Sequence, residues 1–156
     1  MKLSETFSYS GADVESVYGL IVDETFRSES CESQGALDHE VAVDGGDVTV
    51  LRTMPAELPD FIKKLTGDTV KVKQTEKWSD PGDGTRVADV KVSVIGQPAE
   101  MLGKAVLRST GDGTEFIVTG DVKVSIPFIG KKIEPEIAKA IVKSLTEEVE
   151  LGLTRL

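Results

Sequence analysis

The chain has 156 residues, of which 39% are hydrophobic and 29% are charged, and its formal net charge is -9. This length is typical of one domain with a sizeable core, so we expect residues 1–156 to form a single domain. The negative charge excludes the basic surface that nucleic-acid binding requires, and the single cysteine, Cys31, excludes an intrachain disulfide.

The predicted elements begin with a strand over residues 2–10, where apolar and polar side chains alternate. This segment has no apolar signal core, and no run in the chain approaches the roughly 20 apolar residues of a membrane span. We therefore expect a cytoplasmic protein with no integral membrane segment. Two short helices are predicted next, at residues 13–22 and 25–34, from the helical spacing of apolar residues and from Gly35 after the second helix.

Residues 37–54 are predicted to form a β-hairpin, because two alternating runs flank the turn dipeptide Gly45-Gly46. Counting outward from this turn pairs His39 with Arg52 and Leu37 with Met54. Apolar residues then return to helical spacing, which predicts a short inserted helix near residues 58–66.

Four further strands are predicted between Thr69 and Ile126, separated by turns rich in glycine. Taking Asp112-Gly113 as the last hairpin turn pairs Ala105 with Gly120. Together with Gly103, these small residues indicate the close approach of another backbone, for which the C-terminal helix is the candidate.

Residues 133–153 are predicted to form one long amphipathic helix, because apolar residues recur there every four positions. Seven strands joined mainly by short turns form an antiparallel sheet, and a sheet of this size twists and curls. The predicted fold class is therefore α+β, with the long helix in the concave face of a curved sheet. The space between helix and sheet is where a ligand cavity would form.

Three segments carry a resemblance to a known family. They are Leu58-Pro59-Asp60-Phe61, Gln74-Thr75-Glu76-Lys77-Trp78 and the helix entry from Ile126 to Glu134. The chain resembles the helix-grip fold of the START-like superfamily, also called the SRPBCC or polyketide cyclase and pollen-allergen superfamily. Within it, the chain is similar to an uncharacterised and mainly actinobacterial branch, domain of unknown function 2505. The resemblance implies a hydrophobic cavity for a lipid-like molecule in a superfamily whose members mostly bind or carry and less often catalyse.

The side chains that strand alternation and helical spacing turn inward form the expected ligand cavity. They are His39, Arg52, Met54, Gln74, Glu76, Trp78, Met101, Phe116, Val118, Ile137, Ile141 and Leu145. Because a buried charge must be paired or neutralised, we expect Arg52 to form an ion pair with Glu76 or Glu134. Arg52 and Glu134 are also the candidate polar anchor for an amphipathic ligand, with a purely structural ion pair as the alternative.

The inserted helix, the turn at residues 96–98 and the junction at residues 127–131 share one end of the meander. The expected cavity mouth there consists of Leu58, Phe61, Ile62, Leu65, Pro98, Phe128 and Ile129. Lys63, Lys64, Lys131 and Lys132 belong to the same end. This pattern indicates either a gate for an amphipathic anion or simple closure of the core, with the lysines in solvent.

The leading functional hypothesis is binding or carriage of a hydrophobic or amphipathic, lipid-like small molecule. The alternatives are a cyclase- or hydrolase-like enzyme of small molecules on the same scaffold and a module that binds a protein partner, which the sequence does not identify. One histidine and one cysteine, neither in a motif, provide no catalytic group and no metal-ligand set. We therefore expect no catalytic residue, no metal and no cofactor.

Overall fold

The computed structural model describes residues 1–156 as seven strands and four helices. The strands are β1 (Lys2–Ser10), β2 (Asp38–Asp44), β3 (Asp47–Pro55), β4 (Thr69–Ser79), β5 (Arg86–Val94), β6 (Ala99–Thr110) and β7 (Gly113–Val124). The helices are α1 (Val14–Ile21), α2 (Glu24–Ser33), α3 (Asp60–Thr66) and α4 (Gly130–Leu153). Element types and order agree with those predicted from the sequence.

The strands form one antiparallel sheet in the order β1-β7-β6-β5-β4-β3-β2. Strands β2 to β7 are a meander of consecutive neighbours, and β1 joins the sheet beside β7. The sheet is curved, and α4 crosses it, packing mainly on β7, β1 and α2. The predicted seven-stranded α+β architecture is therefore confirmed. None of the four helices combines the length and the apolar character needed to cross a lipid bilayer.

The two predicted hairpin registers had different outcomes. In the first hairpin His39 lies opposite Arg52, as predicted. In the last hairpin the prediction was wrong, because Ala105 lies opposite Val118 and the turn residues are Gly111 and Asp112. Gly113 belongs to β7, and a Cβ atom there would collide with the carbonyl oxygen of a residue in β1. The error shifts the pairing by two residues, so the same side chains still face the interior.

The expectation that the small residues of β6 and β7 mark the approach of α4 was also wrong. A Cβ atom at Gly120 would lie 2.9 Å from the carbonyl oxygen of Leu102, and one at Gly103 would collide with the backbone of Thr119. These glycines therefore accommodate a neighbouring strand. The close contacts made by α4 are at its two ends. A Cβ atom at Gly130 would collide with the carbonyl oxygen of Val124 in β7, and one at Gly152 would lie 3.1 Å from Cε1 of Tyr9.

Helix α4 is buried near its two ends and not in its middle. Near its start Ile133 and Ala138 are buried, and near its end Val149 and Gly152 are buried. No residue between positions 139 and 148 is buried. The helix is therefore held at both ends, and its middle covers the concave face of the sheet less closely.

The interior contains two separate apolar clusters. The larger one lies between the sheet and helices α1, α2 and α4, and includes Trp78, Met101 and Leu107. The smaller one lies below α3, where Ile62 packs with residues of β6, β7 and the start of α4. The end of the sheet that carries α3 is thus closed by its own small core.

Candidate ligand-binding site

Helix α2 places an arginine in the interior. Asp23 caps the helix through the amide of Thr25, at 3.2 Å, and the buried face carries Phe26, Arg27, Ser30 and Cys31. Arg27 is only 2% exposed, and its side chain enters the space between α4 and the sheet. A buried guanidinium requires partners that compensate for its lost hydration.

Glu76 of β4 is the main partner of Arg27. The Nη1 and Nη2 atoms of Arg27 donate to Oε1 and Oε2 of Glu76 at 2.9 and 2.6 Å. Trp78 Nε1 and Gln74 Nε2 donate to the same carboxylate at 2.9 and 2.6 Å. Burial alone raises the pKa of Glu76, but the charge of Arg27 and these hydrogen bonds outweigh it and lower the pKa below its ordinary value.

Glu148 of α4 is the third charged group at this place. Its Oε2 atom lies 3.4 Å from Nε of Arg27 and accepts a hydrogen bond from Oγ of Ser30 at 2.8 Å. Arg27 Nε itself is buried without a hydrogen-bond partner. We call Arg27, Glu76 and Glu148 the ion cluster. Burial, and then the charge of Glu148, raise the pKa of the nearby Tyr9, so its hydroxyl stays protonated.

A chain of polar contacts leads from the ion cluster to a second arginine. Gln34 Nε2 donates to Ser30 Oγ at 2.9 Å, and Ser144 Oγ donates to Gln34 Oε1 at 2.6 Å. Arg52 Nη2 then donates to Ser144 Oγ at 3.5 Å, a long and weak contact. Arg52 is half-buried and makes no ion pair within the chain.

A cavity of about 40 Å³ lies between the middle of α4, the sheet and α2, with room for a few water molecules. Ten of its 16 lining residues are hydrophobic, and the ion cluster and Arg52 form its polar wall. The predicted cavity residues that line it are Arg52, Gln74, Glu76, Trp78, Met101, Phe116, Val118, Ile141 and Leu145. The lining residues outside that prediction are Ile21, Arg27, Val90, Val92, Ala105, Ser144 and Glu148.

Three predicted cavity residues do not line the cavity. His39, on the edge strand β2, has its Nε2 atom 3.7 Å from a carboxylate oxygen of Glu32 at the surface. Met54 is near the end of β3, and Ile137 packs between the two apolar clusters. Strand alternation and helical spacing indicate the face of a residue but not its depth along the element.

The predicted ion pair of Arg52 was wrong, because Arg27 occupies Glu76. Glu134 lies away from the cavity, so it does not join Arg52 in a polar anchor. The Oε2 atom of Glu134 accepts the amide of Val124 at 3.1 Å, and its Oε1 atom lies 3.4 Å from the N-terminal ammonium group. Glu134 therefore joins the start of α4 to the end of β7.

Sequence reasoning missed Arg27 and Ser30. Helix α2 is polar apart from Phe26 and Cys31, so its inward face is poorly marked in the sequence. The available signal was the imbalance of inward charges. Two inward carboxylates, Glu76 and Glu148, require a nearby cation, and Arg27 follows the apolar residue Phe26 in the sequence.

The residues of the predicted mouth gather at one end of the molecule, but none of them lines the cavity. Ile62 is buried in the smaller apolar cluster, and Leu58 and Ile129 pack against it. Phe61, Leu65, Pro98 and Phe128 are exposed. This end is closed, and the cavity lies beside the middle of α4.

Solved structures with the same arrangement of elements define the class of protein. Norcoclaurine synthase from Thalictrum flavum aligns with a TM-score of 0.65 and 13% identity, over 99% of this chain and 95% of that chain. TTHA0849 from Thermus thermophilus aligns with a TM-score of 0.64 and 19% identity, over 98% and 94%. The Zhui aromatase/cyclase from Streptomyces sp. R1128 aligns with a TM-score of 0.62 and 12% identity, over 99% of this chain and 92% of that chain. The chain therefore has the START-like helix-grip fold.

The sequence itself gives the family. Residues 4–156 match the family described as protein of unknown function DUF2505, and the chain belongs to that family. Uncharacterized protein Rv0481c from Mycobacterium tuberculosis is 28% identical over 116 residues, which span 69% of this chain and 67% of that protein. Uncharacterized protein Mb0491c from Mycobacterium bovis matches with the same identity and coverage. The resemblance seen in the sequence is thereby confirmed.

Proposed function

We propose that the protein binds an amphipathic small molecule, with the apolar part between α4 and the sheet and an anionic group at Arg52. The supporting observation is a mainly apolar cavity whose polar wall contains an arginine without an ion pair. The fold is one in which solved neighbours include small-molecule enzymes, by the names they carry. Transfer of the bound molecule between sites is part of the same proposal.

The two arginines of the cavity have different roles in this proposal. Arg27 is nearly fully buried and makes two short hydrogen bonds to Glu76, so it has little capacity left for a ligand. Arg52 is half-buried and makes no ion pair, and its hydrogen bond to Ser144 Oγ is 3.5 Å long. A guanidinium binds a carboxylate through two charge-assisted hydrogen bonds and keeps its charge when buried. An anionic ligand group would therefore gain most at Arg52.

The cavity must enlarge to hold such a ligand, because small-molecule sites usually measure roughly 300–1,000 Å³. The middle of α4, residues 139–148, is the part of the wall without buried side chains. Its exposed link to the chain before α3 is an ion pair between Lys143 Nζ and Glu57 Oε2, at 3.0 Å. Surface ion pairs contribute little, about 0–1 kcal/mol. We propose that the ligand enters beside this part of α4.

Catalysis is the second candidate, suggested by the enzymes among the structural neighbours. A general acid or base works best with a pKa near the operating pH. Glu76, the most deeply buried carboxylate of the cavity, has a lowered pKa instead and accepts four hydrogen bonds. These contacts favour a structural role for Glu76, so binding is the better-supported proposal.

Trp78, the only tryptophan in the chain, lies on the cavity wall and reports on binding. We would titrate the protein with dodecanoate and with dodecanol, which share an apolar chain, and follow Trp78 fluorescence. We expect dodecanoate to bind roughly tenfold more tightly, since a charged hydrogen bond contributes about 1.5–3 kcal/mol.

The variant Arg52→Met should remove the preference for dodecanoate and leave the affinity for dodecanol unchanged. Arg108→Met is the matched control, because Arg108 is exposed and pairs with Glu115 on the sheet. No fluorescence change with either probe would contradict the cavity as a binding site. Equal affinities that Arg52→Met does not alter would contradict Arg52 as the anchor.

A further inference from the structure

Four large apolar side chains are exposed at the end of the molecule that carries α3. Phe61 is 43% exposed, Leu65 42%, Ile95 48% and Phe128 98%. They belong to three segments, residues 60–66, 94–98 and 123–132, which we call the tip. Single exposed apolar residues are ordinary on protein surfaces, but several together indicate an interaction site.

The three segments of the tip form one surface. Gln97 Nε2 donates to the carbonyl oxygen of Leu65 at 3.0 Å, which joins α3 to the turn between β5 and β6. The amide of Ser125 donates to the carbonyl oxygen of Pro98 at 2.9 Å, which joins that turn to the chain before α4. All three segments also pack on the smaller apolar cluster. The exposed side chains therefore lie on a shared and well-supported base.

Phe128 is held outward by its backbone. It has a φ of 70°, in the left-handed region, and is the only residue other than glycine with a positive φ. Turn hydrogen bonds surround it, from the amide of Ile129 to the oxygen of Pro127 at 2.8 Å and from Gly130 to Ile126 at 3.0 Å. A bulky residue in this conformation is unfavourable, so its persistence indicates a functional requirement.

The charge of the tip is opposite to that of the whole chain. It carries five lysines, namely Lys63, Lys64, Lys123, Lys131 and Lys132, and one acidic residue, Asp60, whereas the net charge of the chain is -9. None of the five lysines is in an ion pair, although Lys91, Lys104 and Lys143 elsewhere are. The tip thus combines protruding apolar groups with unpaired positive charge.

We propose that the tip docks on the surface of a membrane that contains anionic lipids. Apolar side chains that enter the interfacial region, combined with lysines that attract anionic headgroups, are the features of surface-bound proteins. Phe128 projects from the tip with almost its whole surface in solvent, at the rim of an open hollow that residues 121–127, Lys131 and Glu134 also line, so its side chain is free to enter a lipid surface. The proposal does not require an occupied cavity, so it stands or fails separately from ligand binding.

Flotation with lipid vesicles at low ionic strength tests the proposal. We expect the protein to float with vesicles of phosphatidylcholine containing about 30% phosphatidylserine and to float poorly with phosphatidylcholine alone, because anionic lipid attracts the lysines. Added salt should weaken the binding, because it screens exposed charges.

Two pairs of variants isolate the tip. Phe128→Gly should weaken binding by roughly tenfold or more, because it removes a large apolar group, whereas Leu153→Ser at the far end of α4 should not. Lys131→Gln with Lys132→Gln should weaken it roughly 25-fold, at about fivefold for each lysine. Lys73→Gln with Lys77→Gln, on exposed positions of β4, removes the same charge away from the tip and should have a much smaller effect.

Equal flotation with both vesicle types, or equal loss in the tip variants and their controls, would overturn the proposal. Absence of flotation together with self-association that Phe128→Gly abolishes would also overturn it, because the tip would then be an interface between copies of the chain. Thermal unfolding of each variant shows whether a loss of binding reflects a loss of folded protein.

Discussion

The ion cluster and the tip lie towards opposite ends of the sheet, and each departs from the usual distribution of residues. In the ion cluster Arg27 and Glu76 are charged and buried, and at the tip Phe61 and Phe128 are apolar and exposed. The buried charges find their partners inside the chain, through short hydrogen bonds from three elements. The exposed parts of the apolar side chains at the tip have no partner within the chain. The first region is therefore explained by the fold alone, whereas the second requires something outside the chain.

The largest effect that we predict tests whether the ion cluster is structural. Arg27→Met leaves Glu76 buried without its cation, and this should lower the free energy of unfolding by about 3–5 kcal/mol. Arg52→Met is the matched control, because Arg52 makes no ion pair. This variant should lower the free energy of unfolding by less than about 1 kcal/mol. Urea unfolding followed by Trp78 fluorescence measures both changes.

A compensating double variant sharpens this result. In Arg27→Met with Glu76→Gln the buried pair is removed and only Glu148, whose side chain is partly exposed, is left without the cation, so part of the lost stability should return. Equal losses in Arg27→Met and Arg52→Met would show that the two arginines do not differ, and the division into a structural and a ligand-binding arginine would fail.

A smaller effect is expected from pH, to which Glu76 of the ion cluster should contribute together with surface carboxylates whose pKa is also lowered, such as Asp89 beside Lys104. Burial raises the pKa of Glu76, but Arg27, Trp78 and Gln74 together lower it below the ordinary value of 4.5. A carboxylate with a lowered folded-state pKa contributes stability that is complete above its unfolded-state pKa and is lost as the pH falls through the folded-state value. Stability should therefore decrease below about pH 4.5.

The measurement is chemical unfolding of the wild type and of Glu76→Gln at pH values between about 6 and 3. Glu76→Gln should be less stable near neutral pH and should lose less stability on acidification, because its other carboxylates are unchanged. Phe128→Ala should follow the wild-type curve in parallel. Identical slopes for Glu76→Gln and the wild type would mean that Glu76 does not carry this dependence.

The smallest effect that we predict concerns the backbone at the tip. Phe128→Gly relieves a left-handed conformation that costs about 1–2 kcal/mol, but glycine is more flexible in the unfolded state, at a cost of about 0.5–1 kcal/mol. We expect a net gain of roughly 0.5–1 kcal/mol in unfolding free energy. Phe128→Ala keeps the strain and loses almost no contact, since the side chain is 98% exposed, so it should be close to neutral.

Thermal unfolding of the two variants of Phe128 provides the comparison. A marked loss of stability in Phe128→Ala would show that the side chain has a partner within the chain. The apolar side chain at the tip would then be packed against a partner within the chain, just as the charges of the ion cluster are paired within it. The two regions would no longer differ in this respect.

The fold was predictable because its signals are local and repeated. Strand alternation, the Gly45-Gly46 turn and the four-residue apolar repeat of α4 each identify an element without reference to the rest. The last hairpin was mispaired because Gly111-Asp112-Gly113 contains two possible turns. Both turns direct the same side chains inward, so the apolar pattern could not distinguish them.

The cavity lining was predictable where periodicity marks an inward face, as on α4, whose Ile141 and Leu145 line the cavity. Alternation along β4 likewise turns Gln74, Glu76 and Trp78 towards the cavity wall. It could not supply the partner of Glu76, which comes from a helix remote in sequence with a weakly marked inward face. Neither could it show that Phe128 would be exposed, since that depends on a backbone conformation rarely adopted by a bulky residue.

The pairing of β1 with β7 has a consequence for the rate of folding. Leu3 lies opposite Gly120, so the sheet cannot be completed until chain segments far apart in sequence have met. Such contacts require the entropy of a long loop to be lost before they contribute stability, and proteins rich in them fold slowly. The meander from β2 to β7 is connected by short turns and by the α3 segment at residues 56–68, so its strands meet neighbours that are close in sequence and can pair early. We therefore expect the addition of β1 to be a late event, during which one edge of the sheet is open to wrong partners.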